Sequence, residues 1–381
     1  MSVRADLVIV GAGLAGAAAA YAAATRGQNV VVLEQFGPAH RNGSSHGSAR
    51  IFRRAYPDPL YVRLTGQAGQ RWRDLEAKAG ETLITVTGGL DFGGDRAPAD
   101  LHAVLTAEGV PAELLTEQAA AERWPQFDFT GAGQVMFHPE AGVLDPDRAI
   151  DAMLRLAVAA GADVRFDTPV TGLAAGSGGT AAVARTDGEA FAAPVVVVTA
   201  GAWIAPLLGG LVELPPLRVT QQQAFHFAPV AGHPAPAGPW PTFIDYDAGG
   251  YAYGLPAGRD GGVPGAMKVA EHNPGKETTA DDRDFEVDPA ARERVRAYVA
   301  RRLPGLDPTP IDETTCLYTW TANEDFILDR PGGGPFVVAS PCSGHGAKFA
   351  PLTGELIADL AAGRPAAEPR FTLAAHLAEQ P

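Results

Sequence analysis

The residues best suited to chemistry come first in the chain. Gly11-Ala12-Gly13-Leu14-Ala15-Gly16 follows the apolar Val8-Ile9-Val10 and leads into an alanine-rich stretch over 17–24. A second apolar run, Val30-Val31-Val32-Leu33, ends in Glu34. This is the spacing of a βαβ unit with G-x-G-x-x-G in its first turn. Gly11 permits the tight turn, Gly13 lets backbone approach a pyrophosphate, and Gly16 lets helix and strand pack closely. The start of the helix offers unpaired N–H groups and the positive end of its dipole to phosphate. Glu34 stands where a carboxylate accepts hydrogen bonds from ribose hydroxyls. A dinucleotide is the ligand such a unit takes, and the pattern does not separate FAD from NAD. Residues 39–54, AHRNGSSHGSARIFRR, are polar, glycine-bearing and basic, which suits a loop wrapped around an anionic ligand.

The elements that must position these groups follow from periodicity and caps. Leu64, Ala68, Trp72 and Leu75 mark a helix over 61–79, and 85–92 reads as one strand. Helices are expected over 98–108 and from 117 to 124. Asp145 and Pro146 form a helix start, N-cap followed by proline at the first helical position. Ile150, Met153, Leu154, Ala157 and Val158 make its apolar stripe, and Gly161 ends it. A strand at 163–166, a segment at 168–175 and a buried strand at 195–198 lead to a small-residue turn at 199–203. Antiparallel strands are expected over 218–228 and 240–256, separated by a Pro/Gly-rich loop at 229–241. A helix at 289–302, a strand at 336–339, the turn Ser343-Gly344-His345-Gly346 and a helix at 352–362 complete the chain. No internal repeat is present.

With 381 residues the chain is long enough for two domains, and 46% hydrophobic with 19% charged residues is ordinary globular composition. A net charge of −14 argues against nucleic acid and anionic membranes as partners. No apolar run reaches the roughly 18 to 20 residues of a membrane span. The first strand begins so early that a cleavable leader has no room, and the expected compartment is the cytoplasm. Two cysteines, Cys316 and Cys342, make no disulfide framework. No metal site is expected.

Four stretches together resemble the monomeric sarcosine oxidase and N-methyltryptophan oxidase family, within the glycine oxidase and D-amino-acid oxidase superfamily of flavoproteins. They are the dinucleotide turn, the loop from Asn42 through Arg53, Cys316-Leu317-Tyr318-Thr319 with Asp325-Phe326-Ile327-Leu328-Asp329, and Ser343-Gly344-His345-Gly346-Ala347-Lys348-Phe349. The resemblance implies an α/β fold. An FAD-binding Rossmann-like domain of glutathione reductase type (1–85, 145–217 and 320–381) is interleaved with an antiparallel-sheet α+β substrate domain (86–144 and 218–319). It implies FAD joined through its 8α-methyl to Cys316, with Cys342 an inert thiol. Contacts to the cofactor are implied for Gly11, Gly13, Gly16, Glu34, Ser44, Ser45, His46, Arg50, Val170, Gly344, His345, Gly346 and Lys348.

Arg50 and Lys268 resemble the cations beside the flavin, with Lys268 promoting the reaction with oxygen. His272 resembles the histidine that modulates substrate binding, and Tyr253 and Tyr318 the aromatics that frame the cavity. Arg53 and Lys348 match the pair that holds a substrate carboxylate. Ala49 replaces a frequent threonine, Ala347 a bulkier residue, and 258–266 is longer than in the sarcosine enzyme. These departures put sarcosine itself in doubt. The implied activity is oxidation of a secondary or cyclic α-amino acid by oxygen, with hydrogen peroxide released by a monomeric protein. Two alternatives stay open: a biosynthetic flavin oxidase that desaturates a ring amino acid, and an NAD-dependent dehydrogenase, in which Cys316 has no role.

Overall fold

A computed structural model describes residues 2–176, 182–231, 240–247, 250–272 and 275–378. The expected loop 229–241 therefore lies mostly outside the described residues. The valine-rich runs form a six-stranded sheet in the order Asp163–Arg165, Val30–Leu33, Leu7–Val10, Val195–Val198, Phe336–Ser340, Ile327–Asp329. All neighbours are parallel except the last pair. Central parallel strands are covered on both faces, which is why they read as continuous apolar runs. Alternate side chains divide between the two covers. Leu7, Ile9, Val30, Val32, Val195 and Val197 pack with the helices Leu14–Ala24, Pro146–Ala159 and Ala350–Ala361. Val8, Val10, Val31, Leu33, Val196 and Val198 pack with Ala182, Ala184, Phe191 and Ala193 of a four-stranded sheet.

The second layer is a nine-stranded sheet. Arg218–Pro229, Met267–Glu271, Gly250–Pro256 and Thr242–Asp247 run antiparallel in that order, and Leu306–Trp320 pairs with Arg218–Pro229. One face is an aromatic core of Phe92, Phe127, Phe129, Phe225, Phe227 and Phe243, with helix Pro289–Arg302 contributing Val295 and Val299. Met267 and Val269 enter that core. Because side chains alternate along a strand, Lys268 and Ala270 must face the opposite way. There Leu255, directly across from Lys268, packs with Ala49 and Val143.

Two expectations are corrected, and one strand was missed. Residues 85–92 are not one strand: Ile84–Val86 and Gly89–Phe92 belong to different sheets, and the chain turns between them at Gly88, φ +75°. Val158 is 52% exposed, and the buried stripe of its helix is Ala149, Ala152, Met153, Leu154 and Ala157. The small Ala149 and Ala152 let this helix approach the alanine-rich Leu14–Ala24. The long strand Leu306–Trp320 was not expected, because Pro308 and Pro310 interrupt its pattern. Prolines are tolerated there because, among the described residues, this strand pairs on one side only. Among the described residues no helix is long and apolar enough to cross a membrane.

Candidate active site

The glycine turn is a cradle with no room for side chains. A Cβ on Gly11, φ +96°, would lie 2.8 Å from the Thr199 carbonyl oxygen, and one on Gly16 would lie 1.9 Å from that of Gly11. Gly13 is the N-cap of helix Leu14–Ala24 and supplies no side-chain cap. The Leu14 N–H donates to Ser45 Oγ at 3.2 Å. Glu34 is buried, and accepts from Ala12 N–H at 2.7 Å and Phe36 N–H at 3.0 Å, with His40 Nε2 3.4 Å away. Burial opposes its ionisation, but the bonds from His40, Ala12 and Phe36 outweigh this and hold the carboxyl below its usual range. Val170 is half-buried among apolar residues on the other side of the sheet. A side-chain-free turn at a helix start, with a buried carboxylate at the next strand end, fits a dinucleotide such as FAD.

Beyond this turn the loop 44–50 is stitched to the strand that carries Cys316. Ser44 Oγ donates to the Leu317 carbonyl, and Arg50 Nη2 donates to the Ser44 carbonyl at 3.0 Å. Arg283 donates to the carbonyls of Arg41 (2.9 Å) and Asn42 (3.0 Å) and to Thr315 Oγ1 (2.7 Å). Cys316 is a free, partly exposed thiol. Lys268, Arg283, Tyr253 and Tyr318 all lie within electrostatic reach of it. Tyr253 and Tyr318 are hydrogen-bonded to each other; burial pushes Tyr253 up to about 12 and Tyr318 well above its ordinary value. Lys268 is buried, and burial with the Arg50 charge brings its ammonium down to about 8. His46 is held neutral, down at about 2, by burial and by Arg50 and Lys268, and its Nε2 has no hydrogen-bond partner.

The other end of the site gathers Arg53, Lys348 and four rings. Arg53 donates to the Ala55 carbonyl and lies 4.6 Å over the Tyr56 ring. Burial works against its charge, but Tyr56, Tyr251 and Asp91 outweigh it and raise its pKa. Lys348 Nζ donates to Tyr56 Oη at 3.0 Å and to the His345 carbonyl at 2.7 Å. Burial and Arg53 hold this ammonium well below its usual value. His345 meets Tyr56 Oη through Nδ1 and the Glu324 carbonyl through Nε2, both at 3.0 Å, and burial and Lys348 take it to about 3. The His272 ring lies 4.6 Å from Tyr251, 5.6 Å from Trp320 and 5.9 Å from Tyr318, and burial with Arg53 and Lys348 lowers it to about 4. A Cβ on Gly344 would fall 2.5 Å from the Tyr318 ring and 3.0 Å from His272, and one on Gly346 would fall 1.7 Å from the Pro341 carbonyl oxygen. Glycine thus lets the turn that carries Lys348 press against these rings. A half-buried and a buried cation whose partners are phenols and carbonyls are equipped to take an anionic group.

The sequence reading passed over Tyr56, Tyr251 and Arg283. Tyr251 could have been found, since it lies two residues before Tyr253 on one strand and period two carries both to one face. Nothing local marks Tyr56, which matters through Lys348 at the far end of the chain, or Arg283, which matters through Thr315 and the loop at 41–42.

A family model described as FAD dependent oxidoreductase (DAO) matches residues 6–360. The chain is 32% identical over 372 residues to a monomeric sarcosine oxidase of Streptomyces avermitilis, covering 95% of this chain and 94% of that one. It is also 32% identical over 368 residues to an N-methyl-L-tryptophan oxidase of Yersinia pestis, covering 94% and 95%. Among solved structures, the open form of NikD, an unusual amino acid oxidase essential for nikkomycin biosynthesis, is similar with a TM-score of 0.85 at 25% identity, over 97% of this chain and 98% of that one.

Proposed function

We propose, for a chain that belongs to the FAD-dependent oxidoreductase family, that its reaction is the oxidation of a secondary or cyclic α-amino acid to an imine, with hydrogen peroxide as second product. The observation that carries this reading is the pair of half-buried Arg53 and buried Lys348 converging on Tyr56. Arg53 presents a fork that suits a substrate carboxylate, and Lys348 adds a second charge from the opposite end of the chain. Tyr56 and His345 hold the Lys348 ammonium in place. His272, Tyr318 and Tyr253 frame the space between the carboxylate end and Cys316. With His272 and His345 neutral at working pH, the wall facing the substrate amine carries no extra proton, so an amine that enters unprotonated needs no side-chain base.

Bound FAD would supply the redox chemistry, accepting a hydride equivalent from the α-carbon and passing two electrons to oxygen. Arg50 and Lys268 provide fixed positive charge where negative charge develops. Cys316, a free and partly exposed thiol, is the residue that would hold the flavin covalently through its sulfur. The match to an FAD-dependent oxidoreductase family argues against a nicotinamide dehydrogenase. The biosynthetic reading, in which a ring amino acid is desaturated, keeps the same residues and draws support from the similarity to NikD.

The test is peroxide release from a panel of N-methyl, cyclic and primary amino acids, repeated with Arg53→Ala. Losing a charged hydrogen-bonded contact costs about 1.5–3 kcal/mol, so KM for carboxylated substrates should rise roughly 10- to 100-fold with flavin content retained. An equal loss for a carboxylate-free amine would remove the docking role.

A further inference from the structure

Cys316 lies on a strand with one free edge: among the described residues, Leu306–Trp320 pairs only with Arg218–Pro229. Carbonyls two residues apart on a strand point the same way. Those of Thr315, Leu317 and Thr319 all find partners away from Arg218–Pro229. Thr315 accepts from Arg283 Nη2, Leu317 from Ser44 Oγ, and Thr319 from the Ser343 N–H at 2.9 Å. The first two contacts bracket Cys316.

Arg283 is buried and reaches both sides of this junction. Its Nη1 donates to the Arg41 and Asn42 carbonyls at 2.9 and 3.0 Å. Its Nη2 donates to the Thr315 carbonyl and, at 2.7 Å, to Thr315 Oγ1. Only Nε is left without a partner. Phe285, at φ +61°, lays its ring 4.1 Å from the guanidinium carbon. The neighbouring Asp284 turns instead to Lys276 at 2.6 Å and to Gln221 at 2.7 Å. The acceptors that Arg283 bonds are therefore all neutral. A buried guanidinium is unfavourable unless its N–H groups are satisfied, and here a loop and a strand edge satisfy them together.

We propose that Arg283 is a positioning residue: its fork staples the loop at 41–44 to the strand edge beside Cys316, and so sets where that sulfur stands against the cofactor loop. The effect on covalent flavin rests on the reading of Cys316 as the linking residue. The staple itself does not. Lysine cannot replace it, because an ammonium is a point charge on a flexible stem and does not span two pairs of acceptors.

The flavin-loaded protein is compared with Arg283→Lys, Arg283→Gln and Thr315→Val, the last of which keeps the shape and removes one acceptor. Two quantities are read: the ratio of acid-stable to acid-released flavin, and the rate of tryptic cleavage after the exposed Arg41. Both Arg283 variants should lower the ratio and speed that cleavage, each about tenfold, because bonds from a charged donor are lost. Thr315→Val should move both readings the same way by about threefold. Cleavage after Arg26, exposed in a turn elsewhere, should not change. Arg283→Lys with both readings retained overturns the proposal, since charge without the fork then suffices. Equal acceleration after Arg41 and Arg26 overturns it, because that reports a loosened fold. Unmoved readings in Thr315→Val overturn it as well. Faster cleavage after Arg41 with an unchanged flavin ratio overturns the part that concerns Cys316. If the unsubstituted protein releases all its flavin, the Cys316 link fails, and cleavage after Arg41 alone decides the staple.

Discussion

At Lys268 the quantity that matters is charge. Buried beside Arg50, its ammonium titrates near 8 and is lost as pH rises through that value. Lys268→Met keeps similar length without charge. It should slow reoxidation of reduced flavin by orders of magnitude, each tenfold corresponding to about 1.4 kcal/mol, while anaerobic reduction by substrate continues. Stopped-flow measurement of the two half-reactions separates these. In the unsubstituted protein the oxygen reaction should decline above about pH 8, and the methionine variant should lack that decline. Impaired reduction with a normal oxygen rate would move Lys268 to substrate binding. Cys316 offers an independent residue-scale test. Cys316→Ala should release all flavin on acid precipitation, leaving a colourless pellet. Cys342 is a poor substitute nucleophile, because burial pushes its thiol up and it accepts the Thr319 N–H at 3.4 Å. A yellow pellet from Cys316→Ala would contradict the assignment.

Between elements, two helices on the six-stranded sheet approach to backbone distance. Helix Leu14–Ala24 buries nine of its eleven residues, seven of them alanines, so its neighbours come within backbone distance. A Cβ on Gly354 of helix Ala350–Ala361 would meet Ala18 backbone and Cβ atoms at 2.5–2.6 Å. Backbone cannot rotate away as a side chain can. Gly354→Ala should therefore destabilise the protein by about 1–3 kcal/mol despite the better helix propensity of alanine. The check is a lower urea midpoint at unchanged slope. A gain in stability would mean that the two helices can separate at little cost.

For the molecule as a whole, three histidines held neutral at the site set an acid limit. His46, His345 and His272 are held near 2, 3 and 4, against 6.5 when exposed. Between those values the unfolded chain binds more protons than the folded one, so stability rises with pH there. The stability they contribute is present above 6.5 and is lost as pH falls toward the folded values, by about 1.4 kcal/mol per pH unit for a fully shifted group. The urea midpoint should fall from pH 7 to pH 5, and His46→Gln should flatten that fall. An unchanged pH dependence in His46→Gln would show that His46 is protonated in the folded state.

Short-range order was written in the chain. The glycine turn with Glu34, the Asp145-Pro146 helix start and the valine strands depend on φ preference, capping and period, all local properties. The resemblance carried by the loop, the cysteine segment and the C-terminal turn named Arg53, Lys348, Cys316 and Lys268, which the fold assembles in two adjoining groups. Local pattern could not show where 84–92 breaks, because Gly88 turns between strands whose partners lie elsewhere in the chain. Nor could it show that Val158 faces solvent, since burial depends on which neighbour approaches. Tyr56 beside both Arg53 and Lys348, and Asp260 on Ser48, are decided by pairings across 292 and 212 residues. A side chain's local pattern sets the face it occupies, but only the registry of distant strands sets what it meets there.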